Sequence, residues 1–117
     1  MILSNRTCEP CEGGTVPLTT DKEDEYLNTL HDWNILRDDM HKIRKVFTFK
    51  GFMEAIAFIN KVAVIADEEG HHPNISIYYN KVHIELFTHA IGGLSINDFI
   101  LAAKIDQVRD RHVICYF

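Results

Sequence analysis

The sequence predicts the α+β class: a four-stranded antiparallel sheet with helices packed on one face, in the order helix, two strands, helix, two strands, helix. Three observations predict it. Residues 52 to 69 place apolar side chains at helical spacing and end at Gly70, a residue suited to a helix C-terminal cap. Residues 74 to 88 hold two runs of β-formers about Asn80-Lys81. Residues 33 to 49 repeat the strand–turn–strand pattern about Arg37-Asp38-Asp39.

A chain of 117 residues suits one domain with one core. Residues 19–117 form that domain, behind an irregular lead-in, residues 1–18, that carries Pro10, Gly13, Gly14 and Pro17. The formal charge is −5 and the pI is about 5.7, so no direct nucleic-acid partner is expected. No apolar run approaches the roughly 20 residues of a membrane span. The N-terminus lacks a signal peptide's apolar core, and a cytoplasmic protein is expected. Cys8, Cys11 and Cys115 are an odd number, against a disulfide framework. Cys8-Glu9-Pro10-Cys11 looks like half a zinc site, but no second Cys or His pair follows at the usual spacing. A loose segment with two free thiols is expected.

The elements follow in order. Thr19 or Thr20 caps a first helix, and Asp21, Glu23, Asp24 and Glu25 complement the dipole in its early turns. Tyr26, Leu27 and Leu30 give its apolar side, and it is expected to end near His31-Asp32. A short strand begins at Trp33. A longer one, Lys42 to Phe49, sets Ile43, Phe47 and Phe49 on one face. The long helix, Phe52 to Glu69, has two apolar stripes. Phe52, Ala55, Ile56, Ile59, Val62, Ala63 and Ala66 form the first; Met53, Ala57, Phe58, Val64 and Ile65 form the second. Two stripes require two burial partners: the sheet, and a second copy of the chain, so a homodimer or homotetramer is expected. Ser95 caps a last helix, Ile96 to about Val108, with Asp98 at the capping-box position.

The histidines stand at the open end of the second hairpin. With Asn80-Lys81 as the turn, Tyr79 faces Val82, Ile77 faces Ile84 and Ile75 faces Leu86. The same register, extended, sets His72 opposite His89, with His71 beside them. Imidazole both gives and takes protons near pH 7, so this cluster suits a reaction that needs an acid and a base on one small substrate. Asp67 lies one helical turn before His71 and either orients it or joins the solvated run with Glu68 and Glu69. Thr88 meets a ligand only where the strand ends or bulges. Asp98 faces the histidines only if the Gly92-Gly93 turn folds back toward them. Three His can bind zinc, but adjacent His71 and His72 seldom turn to one metal, so metal-free acid–base chemistry ranks first. His31, His41, His83 and His112 are read as surface residues.

Ala66-Asp67-Glu68-Glu69-Gly70-His71-His72-Pro73, Tyr79-Asn80-Lys81-Val82, Thr88-His89, Gly93-Leu94-Ser95 and Asp98 closely resemble the pterin-4a-carbinolamine dehydratases. Trp33, Phe47, Phe49, Phe52, Ala55, Phe58, Val62 and Ala63 agree in spacing, and Cys8 to Gly14 looks like the lead-in of bacterial members. The resemblance implies dehydration of 4a-hydroxytetrahydropterin to the quinonoid dihydropterin, in tetrahydrobiopterin recycling for aromatic amino acid hydroxylases. It implies no metal and no cofactor. Carried over, the catalytic histidines fall on His71, His72 and His89, with Thr88, Asp67 and Asp98 in support. The family more often has Glu where Asp67 stands, Trp where Ile75 stands and Gly where Asp32 stands. Animal members also serve as dimerisation cofactors for a homeodomain transcription factor, so a non-catalytic dimerisation module is the alternative reading.

Overall fold

The structure is a computed structural model that describes residues 3–8 and 16–114. Cys11, Cys115 and the side chain of His112 lie outside the described residues. The elements are α1 (Thr20–Leu27), β1 (Asn34–Leu36), β2 (Lys42–Thr48), α2 (Phe52–Glu69), β3 (Asn74–Tyr78), β4 (Lys81–Leu86) and α3 (Ile96–Ile114). Short 3-10 turns stand at Leu3–Asn5 and His89–Ile91. The fold is the expected α+β arrangement, an antiparallel sheet in the order β1-β2-β4-β3.

The two hairpins meet through β2 and β4. Ile43 pairs with Leu86, Lys45 with Ile84 and Phe47 with Val82. Ile43, Phe47, Val82, Ile84 and Leu86 are all buried under the helices. Phe58 of α2 reaches this layer, its ring centroid 4.9 Å from Phe47 and 5.0 Å from Phe49. Full burial of one such side chain stabilises by about 1.5–3 kcal/mol. Lys45 shares the inner face between Ile43 and Phe47. Its ammonium meets Asp106 at 2.8 Å and lies 4.8 Å from the Phe47 ring centre, so the partly buried charge is paired and covered. Trp33 Nε1–H donates to the other oxygen of Asp106 at 2.9 Å, which ties the start of the sheet to α3.

Local signals set most boundaries. Thr19 caps α1, and its hydroxyl accepts the Lys22 N–H at 3.3 Å. α1 stops at Leu27, one turn earlier than expected, because the chain past Asn28 turns back toward Asp32 at φ 65°. That left-handed conformation suits glycine and costs a side chain such as that of Asp32 some strain. Glu23, expected to complement the dipole of α1, is also buried. It accepts from Arg37 Nε at 3.1 Å and pairs with His41 Nδ1 at 2.8 Å, pinning α1 to the β1–β2 turn.

α2 spans Phe52–Glu69 and closes on Gly70 at φ 66°. Its buried stripe is Ala55, Phe58, Val62 and Ala66, drawn from both of the stripes expected. Phe52, Met53 and Val64 stay exposed at 46%, 72% and 57%. α3 is the buried helix, with Phe99, Ile100, Leu101, Ala102, Ile105 and Val108 in the core. It runs on to Ile114, past the expected end at Val108.

The register of the second hairpin corrects the expectation. Tyr78 pairs with Lys81, Ile77 with Val82 and Ile75 with Ile84. The turn is therefore Tyr79-Asn80, and Tyr79 takes the positive φ of 55°. Asn80 is held elsewhere: its Nδ2 donates to the Phe49 carbonyl at 2.9 Å, and its own carbonyl accepts the Phe49 N–H at 2.9 Å. The pairing slips by two residues, so every side chain keeps its face. His72 is not set opposite His89 by strand pairing, since β3 begins at Asn74 and β4 ends at Leu86.

Candidate active site

Loops beyond the sheet, not the strands, assemble the site. Gly70 turns the chain out of α2, and His71 N–H donates to Ala66 O at 3.1 Å, so the two adjacent histidines leave the helix at a fixed point. At the far end of β4, Thr88 and Gly93 form an antiparallel bridge, with Thr88 N–H on Gly93 O at 2.8 Å. His89 sits in the 3-10 turn this bridge encloses, and Gly92 ends that turn at φ 68°. The fold-back brings Ser95 and Asp98, at the start of α3, beneath Thr88.

Asp98 is fully buried and fully partnered. Its Oδ2 accepts from Ser95 N–H at 2.9 Å and from the Thr88 hydroxyl at 2.8 Å. Its Oδ1 lies 2.6 Å from His71 Nε2. A carboxylate in its ionised form only accepts, so against it the His71 ring would hold a proton on Nε2 and leave Nδ1 for a ligand. Such charge-assisted bonds are about twice as strong as neutral ones, and they hold the ring in one orientation. The Ser95 hydroxyl, 2.8 Å from that of Thr88, completes the support. Asp98 is thus both half of a capping box and the anchor of His71. Thr88 reaches it because β4 ends before it, the condition its placement required.

His72 and His89 are exposed. His72 Nε2 lies 3.4 Å from Asp67 Oδ1, and their side chains are 65% and 88% exposed, so solvent screens this pair. Phe87 packs edge-on to the His89 ring at 6.4 Å. A cavity of about 560 Å³ is lined by His71, His72, His89, Thr88, Phe87 and Asn97, together with Cys8 and Glu69. That volume lies within the 300–1,000 Å³ typical of small-molecule sites. Among the described residues, no three His, Cys, Asp or Glu side chains converge as a metal-binding group. None of their helices is long and apolar enough to cross a membrane.

His71, His72, His89 and Thr88 therefore share one cavity, with Asp98 behind it. Asp67 touches His72 rather than His71 and stands outside the cavity lining. Sequence reasoning missed Glu69 and Cys8. Glu69, read as solvated, has a side chain only 14% exposed and 3.6 Å from Lys104 Nζ. Cys8, read as part of a loose segment, donates its backbone N–H to Glu69 Oε1 at 2.7 Å. Its thiol lies 3.6 Å from Asn97 O. Burial first, then the charge of Glu69, push that thiol from 9.0 up to about 12. No periodic pattern announces a contact between residue 8 and residue 69. His41 is tied to Glu23, and His83 packs edge-on to Tyr78 at 5.1 Å, so neither joins the cavity.

The fold and site define a small α+β domain whose loop-borne histidines, one of them anchored on a buried carboxylate, surround a cavity of small-molecule size. The family model described as pterin 4 alpha carbinolamine dehydratase matches residues 16–108, and the chain belongs to that family. A relative from Nitrosospira multiformis, provisionally named a pterin-4-alpha-carbinolamine dehydratase, is 48% identical over 91% of this chain and 91% of its own. Among solved structures, a transcriptional coactivator/pterin dehydratase from Brucella melitensis superposes with a TM-score of 0.74 at 30% identity, covering 79% of this chain and 97% of its own. A pterin dehydratase-like protein described as a RuBisCO assembly factor in the alpha-carboxysome superposes at 0.57 with 25% identity, covering 67% and 89%.

Proposed function

We propose that the chain dehydrates 4a-hydroxytetrahydropterin to the quinonoid dihydropterin by histidine acid–base catalysis, in the recycling of tetrahydrobiopterin. The observation that carries this reading is the convergence of His71, His72 and His89 on one cavity. The C4a–O bond breaks as an imidazolium protonates the leaving hydroxyl, which departs as water. The N5–H proton passes to a second imidazole as C4a=N5 forms. His72 and His89 are the acid–base pair, and His71, held by Asp98, positions the ring or serves as second acid. Neither step needs a redox partner. The test is to mix the protein with a freshly generated 4a-hydroxytetrahydropterin and follow the ultraviolet spectrum. Catalysed decay of the carbinolamine supports the reading, and decay at the uncatalysed rate refutes it.

The second reading, a non-catalytic dimerisation module, is favoured by the exposed apolar face of α2 and by the coactivator and assembly-factor roles in the names of the two structural relatives. An inert protein in the same assay that binds a regulatory protein would favour it. On either reading the α2 face takes a second copy of this chain. Light scattering at micromolar concentration is expected to give a dimer or larger, and a monomer alone would remove that pairing.

A further inference from the structure

We propose that Glu69 is a positioning residue: it docks the segment from Leu3 to Cys8 as a strap that closes one wall of the substrate cavity. The wall's role in substrate binding rests on the pterin reading above, whereas the docking does not.

The strap is held at several points, and almost all lie on α3 or the last residue of α2. Leu3 is buried in the core. Gln107 donates to the Ser4 hydroxyl at 2.8 Å. Cys8 closes the segment through its N–H on Glu69 and its thiol on Asn97 O. Glu69 is the charged member of this set. One oxygen takes the Cys8 N–H at 2.7 Å, and the other lies 3.6 Å from the Lys104 ammonium, whose side chain is 18% exposed. A half-buried carboxylate with both oxygens occupied is a fastener, and loss of one charge-assisted bond shifts such an equilibrium roughly tenfold or more.

The strap belongs to the site because Cys8, Glu69 and Asn97 line the same cavity as the three histidines. Released, it would open that wall to water while leaving His71, His72 and His89 in place. Binding contacts made equally in the ground and transition states then disappear, a loss read in KM rather than kcat. Glu69, Lys104 and Asp98 are the charged groups that act on the thiol. The folded thiol keeps its proton to a higher pH than the free one, so docking weakens as pH climbs from about 9 toward 12.

The experiment uses the full chain with Cys11→Ser and Cys115→Ser, so that Cys8 is its one thiol. Alkylation of Cys8 by iodoacetamide and steady-state dehydration kinetics are compared for Glu69, Glu69→Gln and Glu69→Ala. Glu69→Ala is expected to speed alkylation at pH 8 roughly tenfold or more and to raise KM roughly tenfold, with kcat within about threefold. Glu69→Gln, which keeps an acceptor for the Cys8 N–H, is expected to fall between. Raising the pH from 8 to 11 is expected to narrow the alkylation gap. Equal alkylation rates in folded Glu69→Ala and parent overturn the docking. Faster alkylation with unchanged KM overturns the wall. A parent that turns over no pterin refutes the functional reading and the wall with it, while the alkylation rates still decide the docking.

Discussion

His72→Ala and His89→Ala are each expected to lower kcat for carbinolamine dehydration by about 10²–10⁴-fold, the usual contribution of one general acid or base. Both side chains are exposed, and neither carries packing that the fold needs, so thermal unfolding of both variants stays close to wild type. The ring of His72 meets the exposed Asp67 at 3.4 Å, a screened contact worth at most about 1 kcal/mol. The comparison therefore separates chemistry from folding: stopped-flow rates fall while melting curves coincide. Wild-type-like rates in both variants would defeat the assignment of the acid–base pair.

Asp98 gives the opposite signature. Its carboxylate gathers three donors from three segments: His71 after α2, Thr88 after β4, and Ser95 at the head of α3. Asp98→Ala leaves the buried Ser95 N–H and Thr88 hydroxyl without this acceptor, at about 1–3 kcal/mol for each buried group left unmatched. It also frees the His71 ring. The expected result is a clear drop in urea midpoint together with a fall in kcat of about 10²-fold or more. Asp98→Asn separates the two effects. Its amide oxygen can still accept from Ser95 and Thr88, so stability recovers in part. The negative charge facing His71 Nε2 is gone, so the rate does not recover. Full activity in Asp98→Asn would show that His71 needs no carboxylate behind it.

The parts of the fold legible in the sequence are those set by local rules. Thr19, Gly70 and Ser95 mark helix ends because capping depends on a few neighbouring residues. The faces of β3 and β4 follow from alternation alone. Their register does not, since a two-residue slip preserves every face, and the choice falls to the bond between Asn80 and Phe49, 31 positions away. The same limit applies at the site. His71, His72 and His89 stand out by clustering at the open end of one hairpin, and Asp98 by its capping position. Glu69 resembles its solvated neighbour Glu68 until Lys104 and Cys8 are placed beside it. Nothing local marks Glu23 for burial or Lys45 for the inner face of the sheet, and only tertiary partners, Arg37 with His41 and Asp106, account for their placement.

The central claim is that three imidazoles serve one ligand. Titration of the protein with 7,8-dihydrobiopterin, followed through the imidazole nitrogen and carbon resonances of all seven histidines, tests it most directly. The resonances of His71, His72 and His89 are expected to move together along one saturation curve, while those of His31, His41 and His83 stay still. Separate curves for the three, or movement confined to His31, His41 or His83, would contradict it.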